Sequence, residues 1–130
     1  VENGEGFITG SDSRVIQLPA TVANLLEKTE AAPFWFQKNE PCTTEQLEAL
    51  ISCAAVDAGI ERPIVDSTTI RHSYIGYLIR EGIKLSELAK LVGALSPVKR
   101  AEYGKFSPPG AGLTVDQINP VYPALQNGIA

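Results

Sequence analysis

Methionine is absent from the 130 residues, histidine and tryptophan occur once each, and cysteine occurs twice. One histidine with Cys42 and Cys53 is too small a donor set for a zinc site, and two thiols without other metal-type ligands read as reduced bystanders. No apolar run approaches the roughly 18 residues that a membrane-spanning helix needs. The opening VENGEG is acidic where the n-region of a signal peptide is basic, so a cytoplasmic chain without a membrane partner is expected. Gly4-x-Gly6 is too short to be a phosphate cradle, and no repeat or low-complexity tract occurs. A start at Val1 without any methionine reads as a fragment, a domain or a processed product.

Positive charge is also scarce. Eleven Lys and Arg face fifteen Asp and Glu, for a net charge of −4 and a pI near 5.0. Duplex DNA is held largely by cations that release its counterions, so this balance weighs against broad DNA contact.

Hydrophobic residues make up 44% of the chain and charged residues 20%, which suits one globular unit with a modest core. The pattern predicts an α+β fold, mainly α, with a small antiparallel hairpin at one edge. Residues 1–18 form the hairpin, 19–103 a helical core, and 104–130 a linker and tail. The hairpin strands are predicted at Val1 to Ile8 and Arg14 to Leu18, turning at Gly10, Ser11, Asp12 and Ser13. A helix from Thr21 to Lys28 would turn Val22, Leu25 and Leu26 inward. Pro33-Phe34-Trp35-Phe36 could stack on bases, but a buried strand or plug is the ordinary use of such a run. A longer helix is capped by Thr43 with Gln46 in capping-box relation; its stripe is Leu47, Leu50, Ile51, Ala54, Ala55 and Ala58, and Gly59 ends it.

The stretch from Thr68 to Tyr103 carries the chemistry. Asp66 or Ser67 would cap a helix containing Ile70, Tyr74, Tyr77 and Leu78, which ends at Gly82. Arg71 falls just inside its first turn, where free amides and the helix dipole favour an anion and a guanidinium adds a fork matched to phosphate. A second helix is expected from Ser86, burying Leu85, Leu88, Leu91, Val92 and Leu95. Ser96 and Pro97 then open a third, bearing Lys99, Arg100 and Tyr103. Past Ser107-Pro108-Pro109-Gly110, the tail from Thr114 to Gln126 is broken by Pro120 and Pro123, yet Ile118, Val121, Tyr122 and Leu125 form an apolar patch that should be buried on its own core or on a second copy.

Arg71-His72, then Val92-Gly93-Ala94, then Tyr103 nine residues after Ala94, resemble the tyrosine recombinases or phage-type integrases. That family has a His-x-x-Arg-His box, a Leu-Gly-His box, and a nucleophilic tyrosine nine residues beyond the second histidine. Arg71, His72, Gly93 and Tyr103 match it, whereas Thr68 and Ala94 stand where its histidines are usual. Thr9 stands where its hairpin lysine would be, and its further arginine belongs to an upstream box that would precede Val1.

The resemblance implies DNA as partner and DNA recombination or integration as function. The Tyr103 oxygen would attack a phosphodiester to give a 3′-phosphotyrosyl link, with no metal or nucleotide cofactor. A phenol with a pKa of about 10 must lose its proton as it attacks, and the transition state needs cations, a role that falls to Arg71. His72 would orient backbone or phosphate, and Lys99, Arg100 and Lys105 would contact DNA. Arg71 and Tyr103 should share one surface, and the tail could join a second copy into a homo-oligomer. The alternative is a catalytically degenerate recombinase-like domain kept for binding DNA or protein.

Overall fold

The computed structural model describes residues 4–10, 12–27 and 41–126. As the residue pattern predicts, the fold is α+β and mainly helical, with six helices and one small antiparallel sheet among the described residues. The chain forms two compact units, Val1–Thr29 with Tyr74–Ala130 in one and Glu30–Ser73 in the other. The run Pro33-Phe34-Trp35-Phe36 lies outside the described residues, as do Val1, Ser11 and Lys28.

The first unit opens with a hairpin. Strands β1 (Glu5–Ile8) and β2 (Arg14–Gln17) pair antiparallel, with Gly6 opposite Ile16 and Phe7 opposite Val15. Gly6 is buried, and a Cβ there would press on Leu18 at 3.2 Å, so glycine lets Leu18 fold back over the strand. Helix α1 (Ala20–Glu27) follows Pro19. Its inward arc is Val22, Ala23 and Leu26, while Leu25 is 67% exposed, contrary to the expected inward set. Residues 22, 23 and 26 cluster within about a third of the helical wheel, and Leu25 falls outside that arc.

The core of this unit comes from the end of one helix and from the turn and short helix after it. Helix α3 (Ser67–Arg80) gives Ile75, Tyr77, Leu78 and Ile79 to a buried cluster completed by Ile83, Leu88, Leu91 and Val92. The five largest side chains that are wholly enclosed, Ile75, Leu78, Ile79, Ile83 and Leu88, contribute about 1.5–3 kcal/mol each through burial. Ile70, expected among the inward residues of α3, is 53% exposed. Gly82, at φ +93°, ends α3 in the left-handed region as anticipated.

The helix expected from Ser86 is shorter than its apolar spacing suggests: α4 covers only Leu88–Val92, and Ser86 does not cap it. The chain enters α4 from an extended pairing and a turn. Lys84 N–H donates to the Leu113 carbonyl, and Gly112 and Leu113 N–H groups both donate to Gly82, forming a parallel bridge at Ile83 and Leu113. That pairing ends at Lys84, and Glu87 N–H then closes a turn on the Lys84 carbonyl at 2.9 Å, so Leu85, Ser86 and Glu87 are spent in the turn before the helix begins. Helix α5 (Pro97–Gly104) begins as predicted, with the Ser96 hydroxyl accepting from Lys99 N–H at 3.2 Å and Pro97 in the first turn.

The tail is broken as its prolines require, into a 3-10 turn at Val115–Gln117 and a short helix α6 (Pro123–Gln126). Two tyrosines of α3 tie it down: Tyr74 donates to the Pro120 carbonyl at 2.6 Å, and Tyr77 to the Asn119 carbonyl at 2.8 Å. Tyr77 also meets Tyr122 edge to face at 5.1 Å. Val115 and Ile118 pack on the core cluster, whereas Tyr122 and Leu125 each keep 38% of their surface exposed. The apolar patch is thus covered in its first half.

The second unit contains α2 (Thr44–Asp57) and the first half of α3. Thr43 caps α2 in the expected box, accepting from Gln46 N–H while the Gln46 side chain accepts from Thr43 N–H. Its apolar stripe is less covered than a core-facing helix would be: only Ala55 is buried, and Leu47 and Leu50 are nearly half exposed.

Candidate functional site

Arg71 is the fifth residue of α3, one turn past the helix start, and His72 follows it; both are exposed. From the sequence, the amides of that first turn are expected to meet an incoming anion. They already hold the chain's own carboxylates. Asp66 is the cap: its Oδ1 accepts from Thr69 N–H at 2.8 Å and from the Thr69 hydroxyl at 2.9 Å. These bonds hold the Asp66 carboxyl below the usual carboxylate range, the Thr69 amide foremost. Glu48, from α2, takes the next donor, with Oε2 accepting from Ser67 N–H at 2.9 Å and Oε1 accepting from the Ser67 hydroxyl. Two negative charges therefore complement the positive end of α3.

In the other unit, α5 presents the remaining candidates. Tyr103 is half-buried, and its ring packs against the apolar cluster. Lys99 lies one turn before it and is ion-paired with Glu102 at 2.9 Å, which raises its pKa. Arg100 is partly covered and Lys105 exposed at the end of the helix. Gly104 allows α5 to approach closely, since a Cβ there would stand 2.9 Å from Leu85 Cδ1.

This unit also joins two segments that the sequence treated separately. The hairpin tip reaches the Gly93-Ala94 turn: Asp12 Oδ2 accepts from Ala94 N–H at 3.0 Å. Arg14 anchors the same corner. Its Nε donates to the Leu91 carbonyl at 3.2 Å, and its Nη1 donates to the Asp12 carbonyl at 3.1 Å and to Asp12 Oδ2 at 3.3 Å. Gly93, at φ +82°, lies against that carboxylate, and a Cβ on it would collide with Asp12 Oδ2.

Asp12, Arg14 and Glu48 were not singled out as site residues from the sequence. Asp12 carried only a turn signal, and Glu48 sits on a helix without a local motif. Among the described residues, no group of three His, Cys, Asp or Glu side chains could hold a metal ion, and no helix is long and apolar enough to cross a membrane.

No family model, no curated protein and no solved structure matches the chain.

Proposed function

We propose that the chain is the C-terminal part of a tyrosine recombinase-like domain that acts as a binding module, for DNA or for a protein partner, rather than as a strand-cleaving enzyme. The observation that carries this reading is the pair of carboxylates, Glu48 and Asp66, holding the first-turn donors of α3. A scissile phosphate beside Arg71 would meet those charges instead of free amides. Like charges at the same helix end oppose phosphate binding, and more so as the transition state gathers further negative charge.

The residues at the resembling boxes point the same way. Thr9, Thr68 and Ala94 supply neither a cation nor a proton-transferring ring. Each such group is worth on the order of 10² to 10³ in rate where it acts in an enzyme. Arg71, His72 and Tyr103 keep the identities that the resemblance asks for, and Arg100 and Lys105 offer phosphate contacts on α5. DNA and a second copy reached through the tail are the partners this reading carries over from the resemblance. The carboxylates and the net charge of −4 favour contact with protein over contact with a duplex.

The test is covalent trapping. The protein in its longest natural form is incubated with a nicked suicide duplex carrying its own genomic ends, and adducts are resolved on a denaturing gel. The expected result is no adduct. An adduct that forms and then disappears in Tyr103→Phe, and nearly disappears in Arg71→Ala, would overturn the binding-module reading in favour of an active recombinase.

A further inference from the structure

The corner between the hairpin tip and the α4–α5 turn has the parts of an oxyanion seat. Ala94 presents a backbone N–H, Arg14 presents a guanidinium whose side chain is only 19% exposed, and Gly93 has no Cβ to keep an anion off the backbone. The Arg14 carbon stem and Nε are fixed by β2 and by the Leu91 carbonyl, so its Nη1 edge stays aimed at the corner. A single carboxylate oxygen, Asp12 Oδ2, satisfies both donors. Donors of this kind, an amide beside a guanidinium over a glycine surface, bind phosphate oxygens as readily as carboxylate oxygens.

We propose that Arg14, Gly93 and Ala94 form a phosphate-binding seat which the chain keeps filled with its own Asp12 carboxylate, an autoinhibitory contact at the hairpin tip. The Asp12 side chain is 54% exposed, so it is held by these two donors rather than by enclosure, and its displacement opens the seat without opening the core. The ligand is a phosphate monoester or diester oxygen, whether free phosphate or the backbone of a nucleic acid. Such regulation deepens the binding-module reading, because it gives that module a latched phosphate contact, but it stands on the geometry of a different corner from the one that carries that reading.

The experiment follows the Ala94 amide and the Arg14 Nε–H by 15N NMR in the full chain while inorganic phosphate is added. In the unmodified protein these signals should move little and without saturation. In Asp12→Ala they should shift saturably, with phosphate bound at least about tenfold more tightly, the equivalent of one charge-assisted hydrogen bond. Arg14→Gln in the Asp12→Ala background should abolish the gain.

Cross-strand contacts between Phe7 and Val15 report whether the hairpin survives. Asp12→Asn, which keeps an acceptor for Ala94 N–H but releases Arg14 from its ion pair, provides a variant with a conserved hairpin and should also gain phosphate affinity over the unmodified chain. Equal affinity in the unmodified chain and in every variant that keeps the hairpin contacts overturns the proposal, as does a gain that persists after Arg14→Gln. Repeating the titration with a short duplex separates the two phosphate sources; a shift with either one supports the seat. A covalent adduct in the trapping assay would sink the binding-module reading while leaving this titration unaffected, so the two failures are distinct.

Discussion

Glu48 and Ser67, 19 residues apart, are joined twice: one carboxylate oxygen of Glu48 accepts from the Ser67 amide and the other from its hydroxyl. The contact fastens α2 to the start of α3 within the second unit, and it places a negative charge at a helix N-terminus, where the macrodipole favours it. Glu48→Ala should therefore destabilise the protein by about 1–3 kcal/mol, since it leaves two donors without their charged acceptor. Glu48→Gln keeps one acceptor oxygen and should cost less. Urea denaturation with an unchanged slope would check both, and equal stability of all three proteins would contradict the assignment.

Asp66 makes acid stability depend on its own charge. Its folded pKa lies below the ordinary carboxylate value, chiefly through the Thr69 amide, so the stabilisation is fully present above the unfolded pKa and is lost as pH falls through the folded value. Between neutral pH and that acid range, Asp66→Asn should show a flatter loss of stability than the unmodified protein. Denaturation midpoints measured across the acid limb decide it, and superimposable pH profiles would exclude a charged cap.

Gly93 should tolerate no side chain. Its φ of +82° disfavours any L-residue, and the added Cβ would strike the Asp12 carboxylate. Gly93→Ala is expected to cost about 2 kcal/mol or more, from backbone strain and the displaced hairpin tip together. Combining it with Asp12→Gly should recover part of that loss, giving a coupling of about 1 kcal/mol in a double-mutant cycle. Strict additivity would mean that the two residues do not touch.

The two tyrosine tethers predict how the tail behaves. Tyr77 is buried, burial raises its pKa, and its hydroxyl meets the Asn119 carbonyl. Tyr77→Phe removes that bond and should cost about 1 kcal/mol. Tyr74→Phe removes the bond to Pro120. Together the two changes should speed limited proteolysis between Ile118 and Leu125, while cleavage at an unchanged rate would show that the tail is held by packing alone.

Much of this architecture was legible because it depends on local chemistry. Thr43 with Gln46, Ser96 with Pro97, and Gly59 and Gly82 at helix ends mark boundaries that a few neighbouring residues decide. What was not legible depends on partners far along the chain. The bridge just ahead of α4 joins Ile83 to Leu113, Glu48 reaches the donors of Ser67 from 19 residues away, and Asp12 reaches Ala94 N–H from 82 residues away. Residue spacing places Arg71 near a helix start but carries no information on which carboxylate reaches the donors there. The exposure of Leu47 and Leu50 has the same origin, because periodicity marks an apolar face without providing what covers it.

The most direct measurement is a titration of the purified chain with duplex DNA carrying its own genomic ends, followed by fluorescence anisotropy over a salt series. If carboxylates hold the donors at which phosphates would bind, affinity should be weak at about 0.1 M salt, and log K against log salt should have a slope no steeper than about −2. A nanomolar complex with a slope of about −5 or steeper would show an extensive phosphate-binding surface and contradict the claim that the chain's own carboxylates hold those donors and favour a protein partner over a duplex.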